Sequence, residues 1–428
     1  MSVNILGAGY VGLTLGIYMA NQGTKVRMIE IDKSKIEKLK LGISPVHEGG
    51  IQEELTKAIN SKNISFTIDT DSKVSNWIVA ISYFPGEPEK FIDVLRNIEY
   101  QDHIKPVIMI RTTIPSGFIN EQVIPALEDH FQGKMDESFY IVSAPERSLS
   151  GNAINELRDL PQIIGGSEMS VKMASRVFDD VGIEVIGLRS YEASELVKSF
   201  SNFARLVQFN LSNYLGALCS LYKIDQTTLL KAMKKNYPRM DFISEPGTGV
   251  GGFCLPKDSL VMYDSLKEAS ELTDEFTEIA DFPLIQYKLN ESIIRFNANQ
   301  IEEKLNENTR ILALGIAFKG DPNTDDTRDS VGLKITDYLK KNGYSIKVND
   351  LSVSKEKIEG HGHIYSDLSD ILDFDAILFL NNDRRYKEVI KSVALEMKFK
   401  EKVIVYDPWK IFLDSNLSIL EESVDLTS

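Results

Sequence analysis

Apolar residues recur along this chain in two rhythms. Val3 to Leu6 is a short apolar run, Val11 to Asn21 has helical spacing and stops before Gly23, and Lys25 to Ile31 is a second short run. The opening therefore reads as strand, helix, strand. Further runs at Trp77 to Ile81, Val107 to Ile110 and Tyr140 to Val142, separated by helical patterns, predict a parallel sheet with crossover helices. From Ala193 the rhythm changes: Leu196, Phe200, Phe203, Val207, Leu211, Leu215 and Leu218 fall three or four apart, which predicts one long amphipathic helix. Helical patterns then dominate to about residue 300. Strand and helix alternate again through Arg310 to Ile316, Ser345 to Asn349, Asp375 to Leu380 and Lys402 to Tyr406, predicting a second open α/β sheet. The expected domains are 1–190, a helical centre at 191–300, and 301–428; the polar tail after Leu413 is expected to be less ordered.

Composition narrows the function. A chain of 428 residues supports two or three cores, and 43% hydrophobic with 26% charged residues is ordinary for globular proteins. A net charge of −15 repels phosphate backbones, so nucleic acid is not expected as a partner, while a small anionic substrate is permitted. The opening MSVNILGAGY has no basic flank, and no apolar stretch reaches the roughly 18 residues of a membrane span, so a cytoplasmic protein without a membrane partner is expected. Cys219 and Cys254 lack CxxC spacing, which predicts neither a disulfide framework nor a metal site.

Gly7, Gly9 and Gly12 form GxGxxG between the first strand and helix, where they permit a tight turn, close approach of a pyrophosphate and close helix packing. Glu30 follows 18 residues beyond Gly12, where a carboxylate accepts from ribose hydroxyls and repels the extra phosphate of NADP. NAD is the expected cofactor. The fold class is then α/β, with two Rossmann-like open parallel-sheet domains joined by a helical central region. Cys254 lies in GTGVGGFCLPKD, where the glycines leave backbone amides uncovered, and Lys257 and Asp258 follow. A cation there favours a thiolate and a carboxylate can move protons, although a cysteine among glycines also suits a small packed residue. Cys219, among Leu215, Leu218 and Leu221, reads as core.

Six ordered blocks carry a resemblance: GAGYVGL at Gly7 to Leu13, TTIPSG at Thr112 to Gly117, APER at Ala144 to Arg147, SELVKSFSN at Ser194 to Asn202, GVGGFCLPKD at Gly249 to Asp258, and LGIAFKGDPNTDDTRDS at Leu314 to Ser330. The chain resembles the UDP-glucose/GDP-mannose dehydrogenase family nearly end to end. That resemblance implies two successive oxidations at C6 of a nucleotide-linked sugar, with Cys254 trapping the aldehyde as a thiohemiacetal that becomes a thioester before hydrolysis. It implies that Lys198 and Asp258 hold a water and manage the alcohol proton, that Glu146 assists thioester hydrolysis, and that Asn202 shares this catalytic role and contacts substrate. It assigns Gly7, Gly9, Tyr10, Val11, Gly12, Glu30, Lys35 and Thr113 to the cofactor. Arg147, Gly251, Lys257, Lys319 and Arg328 fall to the UDP-sugar, with Arg239 reaching a neighbouring subunit's substrate. A homodimer or larger homo-oligomer on the central helix is also implied.

Three departures stand out. Phe253 replaces the family's commoner histidine or serine, Ile81-Ser82-Tyr83-Phe84-Pro85 replaces a small-residue turn, and Glu30 replaces aspartate. APER followed by Gly151, with Arg147 and Ser150, resembles the branch acting on UDP-N-acetylhexosamines. Asn155-Glu156-Leu157 and Ile163-Ile164-Gly165-Gly166 resemble enzymes of UDP-N-acetylmannosamine, whereas Leu255 to Asp258 resembles the UDP-glucose branch. The expected substrate order is UDP-N-acetylmannosamine, UDP-N-acetylglucosamine, UDP-glucose. A two-electron β-hydroxyacid dehydrogenase shares the glycine fingerprint but needs neither Cys254 nor a second α/β domain, and a dinucleotide-sensing scaffold would need no Lys198, Cys254 or Asp258.

Overall fold

The computed structural model describes every residue except His47, 72–73, Pro85, 99–104, Ser150, 268–273, 390–402, 412–423 and Ser428. The chain divides into two compact units, Met1–Ser201 with Asp264–Phe276, and Asn202–Tyr263 with Thr277–Ser428. The first unit holds eight strands: β1 (Ser2–Leu6), β2 (Lys25–Ile29), β3 (Ile64–Thr67), β4 (Asn76–Val79), β5 (Val107–Ile110), β6 (Tyr140–Ser143), β7 (Gln162–Gly165) and β8 (Val185–Leu188). Their order is β3-β2-β1-β4-β5-β6-β7-β8. The first six are parallel in the doubly wound order, while β7 pairs antiparallel with β6 and parallel with β8. Side chains alternate between two cores: Val107 and Met109 of β5 join one, Ile108 and Ile110 the other, and all four are buried. Burying each contributes about 1.5–3 kcal/mol, which is why this strand reads as an unbroken apolar run.

The second unit repeats the plan with β9 (Arg310–Leu314), β10 (Ser345–Asn349), β11 (Ile364–Tyr365), β12 (Ala376–Phe379), β13 (Val403–Tyr406) and β14 (Val424–Thr427), all parallel in the order β11-β10-β9-β12-β13-β14. The two parallel-sheet folds and the long helix Tyr191–Tyr222 bear out the expected fold class. The strands predicted to end at Ile31 and Ile316 stop earlier, the second because Gly315 turns the chain at φ +91°. Strands β3, β7, β8 and β11 escaped the periodicity: β3, β8 and β11 are incompletely buried, and fully buried β7 has only two large apolar residues, Ile163 and Ile164, between Gln162 and Gly165. The tail expected to be less ordered supplies β14; residues 412–423 before it lie outside the described set. On the long helix Phe203 and Leu206 are buried, yet Leu196, Phe200 and Leu211 are exposed. Among the described residues, no helix is long and apolar enough to cross a membrane.

Candidate active site

In the first unit the sequence-predicted cofactor residues gather at the carboxyl ends of the parallel strands, where open α/β sheets bind ligands. Gly7 turns at φ +95°, and a side chain there would meet the Ala80 carbonyl. A side chain at Gly12 would strike the Gly7 carbonyl, whereas one at Gly9 would meet nothing. That open face lies at the start of the helix Tyr10–Asn21, whose first turn has no side-chain cap, so its amides face outward beside Tyr10 and Val11. Glu30 Oε2 accepts from Ala8 N at 3.0 Å and its Oε1 from Asp32 N at 3.1 Å, which leaves lone pairs on both oxygens for ribose hydroxyls. Lys35 Nζ lies 3.6 Å from the same carboxylate. These residues fit NAD: an uncovered phosphate turn, a free helix end and a ribose acceptor. Thr113 follows β5 half-buried, and its neighbour Thr112 donates to Ile81 O at 2.8 Å.

Glu146 is nearly buried after β6. Its Oε1 accepts from Arg147 N and Ser148 N, each at 2.7 Å, and its other oxygen is paired with the Arg111 guanidinium. Arg111, which also donates to Gln162, is so deeply buried that its value is pushed down to about 9. Arg147 Nη2 is held by Pro161 O at 2.7 Å. Lys198 is half-buried on the long helix, one turn before Asn202.

In the second unit Cys254 is exposed and opens the helix Cys254–Lys267, whose N-terminal end favours a thiolate. Asp258 is buried one turn later; its Oδ1 lies 2.6 Å from Lys257 Nζ and its Oδ2 accepts from Asn202 Nδ2 at 2.5 Å. Arg328 interacts electrostatically with Cys254 while forked onto Asp326, with Nη2 2.6 Å from Oδ2. Burial would raise the Asp326 carboxyl, but the Arg328 bonds outweigh it and hold it below the ordinary range. The glycines set the loop: at Gly251 a side chain would press on Asp329 O at 3.0 Å, and at Gly252, φ +90°, on the Phe318 ring at 2.7 Å. Lys319 follows Phe318, half-buried, with its Nζ 5.5 Å from that ring's centroid. The structure thus brings Asn202, Cys254, Lys257, Asp258 and Arg328 into one cluster. Arg239 stands exposed on the turn Pro238–Met240, over the Tyr237 ring. Cys219 is buried, as its leucine neighbours suggested.

Three residues went unread in the sequence. Buried Glu48 gathers Tyr10 OH at 2.7 Å, Gly151 N at 2.7 Å and Ala153 N at 2.8 Å, tying the glycine-loop helix to the segment after APER; Ser150, singled out for specificity, lies outside the described residues. Arg111 had a signal, a lone cation at the carboxyl end of an all-apolar strand. Fully buried Asn290 had none: its amide pairs with Val250 N and O, both at 2.8 Å, and so holds the loop before Cys254.

The NAD binding domain of the UDP-glucose/GDP-mannose dehydrogenase family matches residues 1–181, its central domain 192–281 and its UDP binding domain 312–414. The chain belongs to that family. The UDP-N-acetyl-D-mannosamine dehydrogenase of Methanococcus vannielii is 25% identical over 418 residues, covering 94% of this chain and 91% of that one. The enzyme of the same name from Pyrococcus horikoshii is 28% identical over 365 residues, covering 82% and 83%. A solved UDP-D-ManNAc dehydrogenase structure from Pyrococcus horikoshii shares the fold with a TM-score of 0.81 at 25% identity, covering 95% of this chain and 94% of that one. The family resemblance read from the six blocks is borne out, as is NAD as cofactor. Membership makes the chain an NAD-dependent nucleotide-sugar 6-dehydrogenase, and its UDP binding domain makes a UDP-sugar the substrate class. Among the described residues, no group of His, Cys, Asp and Glu is placed to hold a metal ion.

Proposed function

We propose that this dehydrogenase performs a four-electron oxidation of UDP-N-acetylmannosamine at C6, through covalent intermediates on Cys254. The observation that carries the reading is the second-unit cluster: an exposed thiol on the first turn of a helix, beside two cations and a buried, hydrogen-bonded carboxylate. Two NAD molecules, bound in turn, would each accept one hydride, one for each oxidation. Asp258 and Lys198 hold the water that takes the C6 hydroxyl proton, and the Lys198 ammonium stabilises the alkoxide. Asn202 keeps the Asp258 carboxylate oriented. Cys254 Sγ then bonds to the aldehyde carbon, so the reactive carbonyl does not leave. Loss of the second hydride leaves a thioester. Glu146, held by Arg111 and two amides, orients the water whose oxygen bonds to C6 as the C–S bond breaks and the thiolate leaves.

Lys257, Arg328, Lys319 and Arg147 are the proposed UDP-sugar contacts with Gly251. Arg239, exposed on its turn, serves the substrate of a second copy in a homo-oligomer joined through the exposed apolar residues of the long helix. The N-acetylated sugar is supported by APER followed by Gly151 and by the names of the relatives above. The test is Cys254→Ser incubated with NAD and UDP-N-acetylmannosamine, followed by intact-protein mass spectrometry and product analysis. The variant should fold and bind NAD but release almost no uronic acid; acid release at the unaltered rate would make Cys254 structural.

A further inference from the structure

Phe253, immediately before Cys254, carries two cations on its ring. The Arg328 guanidinium lies 4.9 Å from the ring centroid and the Lys257 ammonium 5.4 Å. Both separations fall within the roughly 6 Å over which an aromatic quadrupole attracts a cation. Each cation also has a carboxylate, Asp326 for Arg328 and Asp258 for Lys257, both at 2.6 Å. Those pairs tether the two side chains, and like charge opposes their shared approach to the ring. The half-buried ring offsets that repulsion through its π-electron quadrupole. A serine here has no ring to hold a cation, and a histidine when protonated would repel both.

We infer that Phe253 is a positioning residue whose ring keeps Arg328 and Lys257 beside the Cys254 sulfur, so that the thiol reacts as an anion and anionic groups are drawn to it. The inference rests on the nucleophilic reading of Cys254.

It is tested without substrate or cofactor, by alkylating the full-length protein with neutral iodoacetamide or anionic iodoacetate and following Cys254 by peptide mass spectrometry. In either reaction an S–C bond forms and iodide leaves, and buried Cys219 serves as the internal control. In the unaltered protein Cys254 should react faster than cysteine in a short peptide, with iodoacetate favoured. Phe253→Leu should lower the iodoacetate-to-iodoacetamide ratio roughly two- to fivefold, the scale of an exposed cation–π contact, and Phe253→Tyr should restore it. Arg328→Gln should lower the ratio with Phe253 intact, so the account does not depend on the leucine variant folding. Equal ratios in the unaltered protein and Phe253→Leu, or equal loss in the leucine and tyrosine variants, overturn this inference alone. Peptide-like reactivity of Cys254 in the unaltered protein overturns it together with the nucleophile.

Discussion

Glu195 lies three residues before Lys198 on the long helix and is 3% exposed, with its carboxylate accepting from Gly117 N at 2.7 Å and Ile119 N at 3.4 Å. Burial pushes its carboxyl from the ordinary 4.5 up to about 7, the amide bonds pulling the other way without overcoming it. Between those values the folded chain keeps a proton that the unfolded chain releases. The stability this contributes is fully present below about pH 4.5 and is lost as pH rises through about 7. At about 1.4 kcal/mol per pH unit, the loss is about 3 kcal/mol. Glu195→Gln removes the titration and keeps an acceptor for Gly117 N, its amide nitrogen taking the place of the oxygen that accepts the longer bond from Ile119 N. Thermal unfolding of both proteins, followed between about pH 4.5 and about pH 8, isolates the effect from every other titrating group. The variant's midpoint relative to the unaltered protein should climb by roughly 6–12 °C across that range, taking about 2–4 °C per kcal/mol for a unit of this size. A constant difference would refute a buried, proton-holding Glu195.

NAD should be strongly preferred to NADP, measured as the ratio of kcat/KM; Glu30→Ser should narrow the gap, because Lys35, now 3.6 Å from Oε2, is freed to meet the 2′-phosphate. Comparable efficiency of the unaltered protein with both cofactors contradicts this. Tyr10→Phe and Glu48→Gln should each raise the KM for NAD, and their double-mutant cycle should show a coupling of about 0.5–3 kcal/mol, since they share one hydrogen bond; strict additivity would separate them. Glu146→Ala strands the buried Arg111 charge and should cost about 3–5 kcal/mol of stability, read by calorimetry, whereas an unchanged unfolding temperature would mean the pair is dispensable.

The sequence disclosed the parts whose physics is local. Unbroken apolar strands such as β5, and glycines whose side chains would collide with backbone, leave marks that one chain suffices to read. The cysteine loop stood out for its glycines, and its geometry follows from Gly251 and Gly252 meeting Asp329 and Phe318 far along the chain. What stayed hidden depends on such long-range partners. Glu48 is one carboxylate among many until Gly151 and Ala153 close on it, and Asn290 is a helix polar residue until Val250 arrives. The bond from Arg147 Nη2 to Pro161 O was hidden in the same way, since only the fold brings that carbonyl within reach. Strands β3 and β8 lacked the burial that makes a periodic signal, so the register of their parallel neighbours, rather than their own composition, determines them.

The central claim is a four-electron oxidation retained on one protein, and its most direct measurement is the stoichiometry of NADH formed per sugar consumed. UDP-N-acetylmannosamine, UDP-N-acetylglucosamine and UDP-glucose are each given to the unaltered protein with excess NAD, and the product is identified by mass spectrometry. The account predicts two NADH per sugar, a uronic acid product, no free aldehyde, and fastest turnover with UDP-N-acetylmannosamine. Faster turnover of UDP-glucose would overturn the sugar assignment while leaving the chemistry intact. One NADH per sugar with release of the aldehyde would contradict the covalent mechanism itself.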